Sequence, residues 1–291
     1  MMKKLLLGTA LFVFTLPSLA QESHPDISFV PIGKAVNLRQ TVSGDAEILN
    51  YHYYAELFIK EGGNVTEGTF IGNGKTVPFE RIDNMLKITG DRYQTRAEMD
   101  SKYPDGEYHY NFKTSDGKAH DLRFMVGGEN GDRTIPDFIK VTLKQGGLPV
   151  RQDQINPNKD LTITWTPFKS GRADPNGIID DMIFVSVTDC FGGRIDHSGT
   201  AFTERGAMTF RETQYRLHAD QLKAGMIYPI FVEHVKADTI DQDGINGMVA
   251  NATTVFLDLK TLGEAEGKTC PALLPQMEPG QTDRPGAYGK K

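Results

Sequence analysis

The sequence predicts an all-β protein built as two tandem β-sandwich domains. Three observations carry this reading. Apolar residues alternate with period two through most of the chain. Turns rich in Gly, Asn and Asp separate the alternating stretches, and no long amphipathic helix interrupts them. A chain of 291 residues, with its first twenty set aside as a leader, is also long enough for two domains.

Those first residues, 1–20, read as a signal peptide. Lys3 and Lys4 give a basic start, "LLLGTALFVFTL" is an apolar run too short to span a membrane as an ordinary helix, and Ser18 and Ala20 stand at the small-residue positions of a cleavage site. Gln21 follows rather than Cys, which argues against a lipid anchor. The mature chain is expected to start at about Gln21 and to be exported, to the periplasm or beyond. No later stretch reads as an integral membrane segment.

The first domain is placed at 26–128. "TFIGNGKTVPF" reads as a hairpin turning at Asn73-Gly74, and "YHYNFKTSDGKAHDLRFMV" as one turning at Asp116-Gly117. Only 95–102, "TRAEMDSK", looks helical, and Pro104 ends it. "GGENGDRTIP", 127–136, has the composition of a linker. The second domain, 135–262, opens its alternation with "LTITW" and continues with "MIFVSV", which puts Ile183, Val185 and Val187 on one face. Residues 263–291 form a Pro- and Gly-rich tail, expected to be disordered beyond Cys270.

Charge and cysteines narrow the class of function. Loss of Lys3 and Lys4 takes the formal charge from −6 to −8, which argues against nucleic acid as a partner because phosphate binding needs a basic surface. Cys190 and Cys270 are the only cysteines, and in an oxidising compartment an isolated pair forms a disulfide.

The second half resembles a fibronectin type III module or a close immunoglobulin-like relative. "DLTITWTPF" is similar to the family's second strand, with Trp165 in the core. "LKAGMIYPIFVEH" carries the Leu222, Gly225, Tyr228 spacing of the corner before the sixth strand, and "MVANATTVFLDLKT" is similar to the last strand. "SGTAFTERGAMTFRETQY" is longer than such a module needs. Independently, Trp165 stands on an alternating face where a large ring fills a thin core, and Tyr228 can return its hydroxyl to upstream backbone. The resemblance implies that the loops at 169–181 and 237–247 share one end of the sandwich.

Both loops are acidic. Asp174, Asp180 and Asp181 should face Asp238, Asp241 and Asp243 across one tip, with the cysteines at the other end. Calcium is the metal that Asp174, Asp181, Asp238, Asp241 and Asp243 would take, because carboxylates are hard oxygen ligands. The EF-hand template fails, since Gly244 as loop glycine would put Ala250 where the bidentate Glu belongs. Solvated turn duty and a recognition tip are the competing readings. In the first domain, "NYHYYAELFIK" sets Tyr51 and Tyr53 on one face and His52 and Tyr54 on the other. Tyr51, His52 and Tyr54 are candidates for a platform binding sugar rings or a peptide, against ordinary strand packing.

No catalytic residue can be assigned. The seven histidines include no HExxH, and GxSxG and phosphate-cradling glycine loops are absent. Asp196, His197 and Ser198 are consecutive, so on a strand they point to alternate faces and form no triad. An inward His234 near the acidic tip would be held in its charged form by the carboxylates, against the competing reading of an ordinary satisfied or exposed histidine. The sequence therefore reads as an exported binding or adhesion-type module with a protein or glycan ligand and no required cofactor. An extracytoplasmic hydrolase with an inter-domain site and a structural spacer or matrix component are the alternatives. A deep inter-domain pocket with converging carboxylates or histidines would favour the hydrolase, and a shallow surface would favour binding.

Overall fold

The computed structural model describes residues 24–128, 134–199, 201 and 206–270. The leader, the tail after Cys270 and residues 129–133 of the expected linker lie outside them. In chain order the strands are β1 (Ile27–Gln40), β2 (Ala46–Ile59), β3 (Val65–Gly72), β4 (Lys75–Pro78), β5 (Glu80–Ile82) and β6 (Met85–Tyr93). Then follow α1 (Arg96–Lys102), β7 (Gly106–Thr114), β8 (Ala119–Val126), β9 (Val141–Gln145), β10 (Leu148–Val150), β11 (Leu161–Trp165) and β12 (Met182–Thr188). The chain continues with β13 (Arg194–His197), β14 (Met208–Thr209), β15 (Gln214–Leu217), β16 (Ile227–Gln242) and β17 (Ile245–Lys260). The protein is all-β, as its alternation predicts.

One nine-stranded sheet runs through both halves of the chain in the order β13-β12-β16-β17-β1-β2-β6-β5, with β14 paired beside β12. Two four-stranded sheets, β4-β3-β7-β8 and β10-β9-β11-β15, pack against it. The joint is the parallel pairing of β1 with β17, from Val30 opposite Gly247 to Arg39 opposite Phe256. The approach is close: a Cβ on Gly33 would lie 1.8 Å from the Ala250 carbonyl oxygen.

Two cores lie in tandem along this shared layer. One buries Tyr53, Ala55 and Leu57 of β2 against Tyr108, Tyr110, Leu122 and Phe124 of the first small sheet. The other buries Ile183, Val185 and Val187 of β12 and Ile230 and Val232 of β16 against Val141, Leu143, Ile163 and Trp165. β1 serves both, with Val30 and Ile32 in one core and Val36 and Leu38 in the other. Between them, on the same face, Lys34 is 2% exposed and its ammonium lies 2.6 Å from Asp100 and 2.7 Å from Asp105. That triad fastens α1 and its following turn over the seam. α1 itself starts at a capping box, in which the Thr95 hydroxyl accepts from the Glu98 amide and the Glu98 carboxylate accepts from the Thr95 amide.

The corner expected around Tyr228 is present: its hydroxyl accepts from the Lys223 amide at 2.7 Å, and the Trp165 indole donates to the Glu212 carbonyl. Cys190 and Cys270 form a disulfide at the end where β12 stops and β16 begins, and the Ile227 amide approaches Cys270 Sγ at 3.2 Å.

Residues 237–247 depart from expectation. They are not a loop but the far end of a hairpin of two 16-residue strands, turning only at Asp243-Gly244, whose φ values are 58° and 74°. Positive φ at both positions is what a two-residue hairpin turn requires. Ala237, Thr239 and Ile245 are buried, so the stretch packs as strand although it reads as acidic. Its tip leaves its own half and docks on the first small sheet. There the Gln242 side chain accepts from the Arg123 amide and donates to the Arg123 carbonyl, at 2.9 and 2.7 Å.

Candidate functional site

The five calcium candidates are distributed along this hairpin and the 169–181 loop. Asp174 accepts from the amides of Asn176, Ile178 and Ile179 and from the Thr239 hydroxyl at 2.6 Å. Burial alone would raise its pKa, but those hydrogen bonds outweigh burial and hold the carboxyl below its ordinary value. Asp181 is buried between the amides of Arg172 and Ala237, and Asp238 pairs with the Arg172 guanidinium at 2.8 Å. Asp241 accepts from the Gly244 amide, while Asp243 lies 3.4 Å from Lys118 and 3.5 Å from His120. The 169–181 loop does meet β16, through Asp174–Thr239, Asp181–Ala237 and Arg172–Asp238. Asp241 and Asp243 lie at the other sandwich. The carboxylates are committed to their own backbone or to cations, and among the described residues no three His, Cys, Asp or Glu side chains are placed to hold a metal.

The aromatic candidates are packed rather than displayed. Tyr53 is fully buried and stacks on Tyr103 at 3.9 Å between ring centroids. Tyr51 is half-buried against both cores, and Tyr54 is half-buried against the alanine- and methionine-rich cluster on the opposite face. His52 stacks on Tyr54, and burial followed by the neighbouring Arg92 pushes its pKa well down. One face of β2 packs on the first small sheet and the other on the alanine- and methionine-rich cluster, which is why its rings meet neighbours on both faces.

His234 fits neither reading of it. It is 3% exposed, stacks on Phe168 at 4.5 Å, and its Nε2 has no hydrogen-bond partner among the described residues. Burial pushes its pKa down to about 4, so the ring is neutral, not held charged by carboxylates.

Among the described residues, one surface that the fold leaves open is a groove of about 240 Å³ at the seam between the two cores. Val36 and Leu38 of β1 form its floor with Tyr51 of β2 and Thr253 of β17. Ile48, Ile135, Pro136 and Phe138 form its sides, and Arg96 at the start of α1 completes the lining. Ile48 is 55% exposed and Phe138 42%. The Thr253 hydroxyl donates to the Pro136 carbonyl, which holds the connecting segment in place along the groove. Arg96 donates through Nε to Asp100 at 3.3 Å, and its terminal amino groups have no acceptor among the described residues. Among the described residues no carboxylate and no histidine lines the groove. Sequence reasoning missed it because its lining comes from five separate segments, and Ile48 and Phe138 look like ordinary strand and linker residues.

Among the described residues no helix is long and apolar enough to cross a membrane. No family model and no curated protein matches the chain. Among solved structures the chain is similar to a crystal structure of chicken CNTN1 FN1–FN3 domains, at 12% identity and TM-score 0.21, over 82% of this chain and 65% of that one. It is also similar to trypsin-activated alpha-2-macroglobulin from Escherichia coli, at 7% identity and TM-score 0.21, over 81% of this chain and 16% of that one.

Proposed function

We propose that the protein is an exported, non-catalytic binding module whose working surface is the seam groove. The observation that carries this is the groove's lining: large apolar side chains stand exposed in a concave surface, with no carboxylate or histidine among the described residues converging on it. Exposed apolar surface in a concavity costs free energy in the unbound protein and is recovered when a partner covers it. The leader pattern and the disulfide support export.

The test is to pan a random peptide library against the folded protein, then repeat the binding with Ile48→Asp and Phe138→Asp. Both variants should keep the wild-type melting temperature, because both side chains are exposed. Enriched peptides that lose binding to both variants support the reading. Peptides that bind all three proteins equally would remove the groove as the working surface. Turnover of chromogenic ester, phosphate or glycoside substrates that co-purifies with the protein would replace binding with catalysis.

A further inference from the structure

We infer that the groove takes polypeptide segments in which a large apolar side chain stands next to a carboxylate, and that Arg96 reads the carboxylate. The inference rests on the groove being the binding surface.

Size and openness set the apolar part. A concavity of about 240 Å³ accommodates a single aromatic or branched side chain rather than a packed element. It is open along one side, so a long acyl chain would leave much of its length in water. Each methylene left there forfeits about 0.8 kcal/mol. One side chain presented by an extended backbone fills the same space without that loss.

The polar part comes from Arg96. Among the described residues it is the only charged one in the lining. Its Nε is committed to Asp100, and Asp100 is held in turn by the buried ammonium of Lys34. This contact tethers one edge of the half-exposed guanidinium and leaves its terminal amino groups for a ligand. Those groups present parallel N–H donors, the geometry that suits a carboxylate. An apolar floor with a guanidinium at its rim therefore complements an apolar residue adjoining Asp, Glu or a chain terminus.

Two capped tetrapeptides test this, Gly-Phe-Asp-Gly and Gly-Phe-Asn-Gly, titrated into isotope-labelled protein while amide shifts near Ile48 and Phe138 are followed. The expected result is affinity about tenfold higher for the aspartate peptide, the size of one charge-assisted contact. Arg96→Gln should bring the aspartate peptide down to the affinity of the asparagine peptide and leave the latter unchanged. Phe138→Asp should abolish binding of both. Equal affinities in the wild-type protein, or a preference that survives Arg96→Gln, overturns the inference while leaving an apolar groove in place. Shifts that persist in Phe138→Asp overturn the binding surface itself.

Discussion

Acidification should destabilise this protein through the buried ring of His234. His234 is neutral in the fold because burial holds its pKa at about 4, against 6.5 for an open chain. Between those values the unfolded chain binds a proton that the folded one does not, so stability falls as pH falls. The contribution is fully present above pH 6.5 and fully lost below about pH 4. A shift of that size corresponds to about 3 kcal/mol, a large share of the stability of an ordinary domain. The perturbation is His234→Phe, which keeps a ring against Phe168 and removes the titration. Urea unfolding at pH 7.5 and pH 4.5 gives four stabilities, and the quantity of interest is their double difference. Other histidines with lowered pKa values, His24, His52 and His120, contribute equally to both proteins and cancel. The variant should gain about 2–3 kcal/mol over the parent on going to pH 4.5. A double difference within about 0.5 kcal/mol of zero would refute the claim that burial, and not a carboxylate, controls this ring.

Other expectations follow from single contacts. Gly33→Ala drives a methyl group into the Ala250 carbonyl and should lower stability by about 3 kcal/mol, read from the urea midpoint, with both cores affected together. Replacing Cys190 and Cys270 with serine opens a link across 80 residues and should cost up to about 4–5 kcal/mol, seen equally on adding reductant to the parent. Gln242→Ala should accelerate hydrogen exchange at the Arg123 amide and lower stability by about 1–2 kcal/mol, measured by NMR and by denaturant. Asp174→Ala strands three amides and a hydroxyl and should cost about 2 kcal/mol alike in chelator and in millimolar calcium. A cost that appears only with calcium would return the 169–181 loop to metal binding.

Features written in consecutive residues were legible in the sequence. Asn73-Gly74 and Asp116-Gly117 turn where their dipeptides say, with Asn73, Gly74 and Gly117 at positive φ. Thr95 and Glu98 start α1. Trp165 and Tyr228 fill the places their spacing implies. What failed depends on contacts far apart in the chain. β1 contains Pro31, Gly33 and Lys34 and is buried on both faces over most of its length, so it shows no alternation, and nothing local announces a parallel partner more than two hundred residues away. In 237–247 the acidic residues suggested a solvated loop, although Asp243-Gly244 between two apolar stretches is itself a hairpin signal. The groove was illegible for the same reason as β1. Ile48 and Phe138 come together only through the folding of β2 beside the 134–140 connection.

The parallel contact of β1 with β17 also determines how the molecule would respond to force. The chain enters the fold at one end of this pair and leaves the last strand at the other. Tension applied between those points slides the two strands along each other, so the ten paired positions from Val30 to Arg39 bear the load at once. An antiparallel hairpin pulled at its open ends would instead lose its hydrogen bonds in succession, like a zip. The parallel seam, the one parallel pairing among the described strands of the large sheet, is thus the fold's shear clamp.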